Sequence, residues 1–187
     1  MANVADEIAI FANGKVSYAP SGTDLPTGLG DLDPAFVEVG YIGEDGVEMS
    51  PSLEEEVTRA WQSFYPVRRT VTERDLTLGF ALHQWNPDNV VLAFGGGQIT
   101  TPSPGVHRYD PPSPEEQPEY AVVVDGFDGD KHYRFVLKRA RNTELGDVTL
   151  QRGESAALPV TLGIVGDTGD GTQPWYFLTD DPAFAGS

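Results

Sequence analysis

The sequence predicts a mainly β fold, an antiparallel β-sandwich or barrel-like structure with one short flanking α-helix. Three observations predict it. Twenty-one Gly and 15 Pro spread turn signals along the whole of the 187 residues. Between those signals lie short runs that alternate apolar and polar residues, the mark of strands with one buried face. Only one stretch carries both a start and a stop signal for a helix.

Taken in chain order, a short strand is expected at Ile8 to Phe11, followed by a turn at Asn13-Gly14. Residues 19–34, rich in Gly, Pro and Asp, read as an irregular insertion, and Phe36 to Ile42 as a strand. Residues 44–66 read as irregular too, combining Glu54-Glu55-Glu56 with Trp61, Phe64 and Tyr65. Aromatic residues at that density in an acidic loop point to a segment that a partner orders, because ordering needs buried contacts to offset lost conformational entropy.

The clearest strand runs from Arg69 to Trp85, with Leu76, Leu78, Phe80 and Leu82 on one face. Glu73, Asp75, Thr77, Gly79 and Ala81 fall on the other, since successive side chains of a strand point to opposite sides. Asn86-Pro87 then supplies a cap and an N1 proline for a helix through Val90 to Phe94, stopped by Gly95-Gly96-Gly97. A Pro-rich connection containing His107 leads to a hairpin over Glu119 to Arg139, with turn residues at Asp125 to Asp130. Further strands are expected at Asp147 to Gln151, Leu158 to Val165 and Trp175 to Leu178. A tight acidic turn over Gly166 to Gly171 separates the last two, and an irregular tail follows residue 179 or so. The length suits one domain over residues 1–187.

Composition excludes several functions. The formal charge is −17, divided as −10 over residues 1–66, zero over 67–110 and −7 over 111–187. So acidic a chain repels the phosphate backbone, and conventional nucleic-acid binding is not expected. With no cysteine there is no disulfide, thiolate metal site or thiol nucleophile. No apolar run is long enough to span a membrane, and the acidic start Asp6-Glu7 does not read as a secretory signal.

No catalytic, cofactor or metal site is expected. His83, His107 and His132 are scattered, and Gly95-Gly96-Gly97 lacks the Lys-Ser/Thr of a phosphate loop and follows its helix. Asp125, Asp128 and Asp130 have the wrong spacing for an EF-hand, whose twelfth position would be Val136 here, so they read as a solvated turn.

One series of motifs is more informative. Val39-Gly40-Tyr41-Ile42-Gly43-Glu44-Asp45-Gly46-Val47 precedes an acidic stretch, Ala60-Trp61, Val67-Arg68-Arg69-Thr70-Val71-Thr72, a strand ending Phe80-Ala81-Leu82-His83-Gln84-Trp85-Asn86, and a short helix. This order, over residues 39–94, resembles the major tail protein of long-tailed, non-contractile bacteriophages. The hairpin from Glu119 and Ala156-Ala157-Leu158-Pro159-Val160-Thr161-Leu162 resemble its C-terminal half.

The resemblance implies a tail-tube fold and a structural role without enzymatic activity. Subunits would form hexameric rings, stack around a tape-measure protein between tail terminator and distal tail proteins, and serve as the conduit for DNA. The DNA would pass through the lumen without specific binding, and no membrane is involved. Assembly would take place in the host cytoplasm and the product would be part of the virion. On this reading Trp61, Phe64, Tyr65, Arg68 and Arg69 are expected at subunit interfaces, and Glu73, Asp75 and Thr77 facing the lumen. The alternative from another class is a secreted β-sandwich module that binds carbohydrate or acts as an adhesin.

Overall fold

A computed structural model describes residues 7–166 and 172–185. Among the described residues ten strands and one α-helix occur in the order β1 (Asn13–Pro20), β2 (Val37–Glu38), β3 (Ile42–Thr58), β4 (Arg68–Leu82), α1 (Pro87–Ala93), β5 (Gln98–Ser103), β6 (Val106–Asp110), β7 (Tyr120–Asp128), β8 (Lys131–Leu145), β9 (Leu158–Ile164) and β10 (Trp175–Thr179). The main sheet is antiparallel, in the order β2-β1-β7-β8-β9-β4-β3 with β10 also on β8, and β5 and β6 form a separate hairpin.

Strand β8 organises the sheet. Over Lys131 to Ala140 one of its edges pairs with β7. Its other edge is shared, with β10 along Tyr133 to Leu137 and β9 along Ala140 to Leu145. The apolar residues of the two wings then close on one another. Val16 and Tyr18 of β1, Val122 and Val124 of β7, Leu78, Phe80 and Leu82 of β4, and Leu158, Val160 and Leu162 of β9 share a core with Leu92 and Ala93 of α1. The alternation read from Leu76 to Leu82 is therefore the buried face of β4, with Leu78 and Leu82 fully buried.

The helix has the expected ends. The Asn86 side chain accepts a hydrogen bond from the Asn89 amide, Pro87 occupies the first turn, and Gly95, Gly96 and Gly97 all take positive φ beyond it. Asn89, itself buried, donates to the carbonyls of Val39 and Gln84, and the Tyr18 hydroxyl donates to the carbonyl of Asp88. Burial pushes the Tyr18 phenol well above its ordinary pKa, with the Asp88 charge adding to the effect. Gly40 shows why no side chain is tolerated at that corner. Its φ is +77°, and an added Cβ would lie 1.5 Å from Oε1 of Gln84, the atom that accepts from the Tyr41 amide.

Several sequence expectations are corrected. Asn13-Gly14 is not a turn but the start of β1, paired with Phe127 and Gly126, while Ile8 to Phe11 precede the strand. Residues 147–151 form no strand, because the sheet partner runs out: β9 pairs with β8 only as far as Leu145. The Pro-rich connection around His107 is the β5–β6 hairpin. Residues 44–66 are mostly strand β3, whose partner is β4. Asp125 is no solvated turn residue, since β7 extends to Asp128 and the turn tightens onto Gly129, at φ +60°, and Asp130. The expected turn over Gly166 to Gly171 lies, from Asp167 on, outside the described residues.

The insertion over 19–34 is irregular beyond Pro20 but firmly held. Arg134, nearly buried on β8, forms an ion pair with Asp125 (Nε to Oδ1, 2.6 Å) and donates from Nη1 to the carbonyls of Gly28 and Gly30. Tyr176 on β10 donates to the carbonyl of Pro26. Ser17, Val123, Val136 and Tyr176 lie level across β1, β7, β8 and β10, so the segment covers the face of this wing opposite the core. That is why Val123 and Val136 are fully buried although they do not point into the core.

Candidate assembly interface

Strands β3 and β4 do not end where the core ends. Arg68 to Arg74 of β4 continue beyond the buried Leu76 as an exposed ribbon, paired with Leu53 to Thr58 of β3. Seven extended residues at about 3.3 Å each carry this arm roughly 23 Å outward. Acidic residues are tolerated along β3 because both faces of the ribbon lie in water. For the same reason the apolar alternation that marks a half-buried strand is missing from Glu54 to Glu56. Arg69 reaches across to Glu55 at 3.0 Å, and the Thr72 hydroxyl donates to the carbonyl of Glu54.

The ribbon ends in a turn that stabilises itself. The Val67 amide donates to the carbonyl of Thr58 and the Ser63 amide to that of Ala60, while the Ser63 hydroxyl donates to the Tyr65 carbonyl and accepts from the Tyr65 amide. This backbone pattern turns the large side chains outward. Trp61 is 99% exposed and Phe64 102%, with Tyr65 and Val67 also mostly in solvent. The expected interface residues Trp61, Phe64, Tyr65, Arg68 and Arg69 are thus brought together at one tip, unburied by their own chain.

The residues expected to face a lumen lie nearer the base of the same hairpin. Thr77 is half-buried on the face of β4 opposite Leu76 and Leu78, as is Asp75, whose carboxylate accepts from the Leu76 amide. Glu73 is exposed and stands directly opposite Glu54, a like-charge pair that the water around the arm screens.

Two clusters escaped the sequence reading, the first because Asp125 read as a solvated turn residue and the second because its members lie about fifty positions apart. The first is Asp125, which accepts from both Arg134 and Nε2 of His132 (2.7 Å), His132 also stacking on Phe127. The second fastens the C-terminal segment. Asp181 accepts from the Tyr133 hydroxyl and the Ala183 amide and pairs with Lys131 at 3.2 Å, capping a 3-10 turn over Pro182–Phe184. That hydrogen bond pushes the Tyr133 phenol up to about 12 and holds the Asp181 carboxyl below the usual carboxylate range. Residues 180–185, expected as part of an irregular tail, are therefore tied down. Among the described residues no three or more His, Asp or Glu side chains converge as a metal site would require, and no helix is long and apolar enough to cross a membrane.

Large apolar side chains held in solvent at the tip form a surface that another molecule can cover. Among solved structures, a chain of the cryo-EM structure of the anti-feeding prophage (AFP) baseplate, 6-fold symmetrised, aligns over 95% of this chain and 97% of its own, at 14% identity and a TM-score of 0.43, too distant to carry an argument. No curated protein matches. The family model described as phage tail tube protein matches residues 1–187, the full length given, and the chain belongs to that family of phage tail structural proteins.

Proposed function

We propose that this protein is the major tail protein of a long-tailed, non-contractile phage, one domain that polymerises as stacked hexameric rings to form the tube through which DNA is ejected. The observation that carries the reading is the β3–β4 arm, an ordered ribbon that places Trp61 and Phe64 wholly in solvent. Large apolar groups held outward in this way gain their burial from another molecule. In a tube that molecule is a second subunit, with Tyr65, Arg68 and Arg69 completing the contact. The tape-measure protein would occupy the lumen during assembly in the host cytoplasm, and terminator and distal tail proteins would close the ends. Glu73, Asp75 and Thr77 are the residues we assign to the lumen, where acids keep DNA from adhering to the wall.

Negative-stain microscopy of the purified protein over a range of concentrations tests this reading, with stacked rings or tubes expected. Trp61→Ala should leave the thermal transition of the free subunit nearly unmoved, because the side chain buries nothing within its own chain, while suppressing tube formation. Unassembled protein at every concentration, or tubes formed equally well by the variant, would count against the proposal.

A further inference from the structure

A row of aromatic rings crosses the end of the sheet where β8 begins. Phe11 meets Tyr133 edge-on with centroids 5.2 Å apart, Tyr133 meets Phe184 at 6.5 Å, Phe184 meets Phe177 at 5.4 Å, and Phe177 stacks on Phe135 at 5.7 Å. These rings come from the segment before β1, from β8, from β10 and from the final 3-10 turn, so the row exists only once both ends of the chain have docked. Phe11 (53% exposed), Phe177 (37%) and Phe184 (58%) remain open to solvent. The rim is acidic. Asp128 and Asp180 both act on Tyr133, Asp130 is exposed at the adjoining turn, and Lys131 is paired with Asp181.

The arm tip has the opposite character. From Arg59 to Thr72 there are three arginines and no acid, around Trp61, Phe64 and Tyr65. Resting on the assembly reading above, we propose that the aromatic patch of one copy receives the arm tip of a second copy. Trp61 and Phe64 pack on Phe177 and Phe184, while Arg59 and Arg68 face Asp128, Asp130 and Asp180. Charge selects this pairing, since tip against tip sets arginines together and patch against patch sets carboxylates together. Tip and patch are different surfaces, so the contact is heterologous: every copy offers one and accepts with the other, and the result closes as a ring or grows as a filament.

The chain has no cysteine, so single introduced thiols report the contact directly. Gln62→Cys at the tip and Ala185→Cys beside Phe184 both replace exposed side chains. The two single variants, mixed under assembling conditions and oxidised, should give a disulfide-linked dimer that neither gives alone, and the double variant a covalent ladder. Asp130→Lys should raise the protein concentration needed for assembly about tenfold at low salt, with the free subunit's thermal transition unchanged. Rings or tubes without any 62–185 bond would overturn this inference and leave the assembly reading standing. Links between identical positions would overturn it in favour of a symmetric contact, and a bond formed within single chains but not in the mixture would show the tip folding onto its own patch. Protein that never assembles would overturn both.

Discussion

At the scale of single residues, two buried polar contacts hold what the strands alone do not. Asp125 neutralises Arg134, and Arg134 donates from Nη1 to the carbonyls of Gly28 and Gly30, so one side chain joins the sheet to the 21–36 segment. Asp125→Ala leaves a buried guanidinium without its carboxylate, which should cost about 3–5 kcal/mol, measurable as a lowered denaturant midpoint. Asp181 gives a pH signature. Its folded pKa lies below the ordinary 3.8, so the stability it contributes is present above that value and lost as pH falls through the lowered one. Tyr133, raised from 10.0 to about 12, contributes below pH 10 and loses its contribution as pH rises through 12. Thermal unfolding in acid should accordingly fall more steeply with pH for wild type than for Asp181→Ala, and equal slopes would show that this latch carries no linkage.

At the scale of elements, the β3–β4 arm differs from the other strand pairs of the main sheet. Beyond Leu76 it is a two-stranded ribbon with no core beneath it, and such ribbons are marginal alone in water. We expect amides of Leu53 to Thr58 and Val67 to Arg74 to exchange far faster in the free subunit than those of Tyr120 to Val124, and to become protected on assembly. Hydrogen exchange on dilute and assembled protein measures this, and strong protection in both states would refute a stabilising role for neighbours. The β7–β8 hairpin was legible beforehand because its alternation meets a core. Of the arm only the β4 half was legible, as the start of the strand expected from Arg69, while the β3 half was not, since a strand with both faces in water leaves no period in the hydrophobicity.

At the scale of the whole molecule, assembly multiplies each charge. If the proposed hexameric ring places Asp75 at the lumen, Asp75→Lys changes the wall by about 12 charges and creates phosphate-binding sites, with little effect on the subunit because the Asp75 carboxylate is half-exposed and accepts from the adjacent Leu76 amide. Tubes of this variant should retain short DNA at low salt and release it as salt rises. Tubes that assemble normally yet bind DNA no better than wild type would place β4 away from the conduit.

The mainly β class, the core face of β4, the capped helix and the β7–β8 hairpin follow from local rules, because alternation, caps and turns are written over a few consecutive residues. The residues that meet at the arm tip were also nameable in advance, being neighbours in the chain. Only the tertiary structure decided that β8 divides its edge between β9 and β10, that Arg134 pins a segment some hundred residues away, and that Phe11 and Phe184 complete one aromatic row. Those contacts join residues that are not neighbours in the chain, and they are chosen by which surfaces remain uncovered once the strands have paired, a property of the packed sheet that no local run of residues carries.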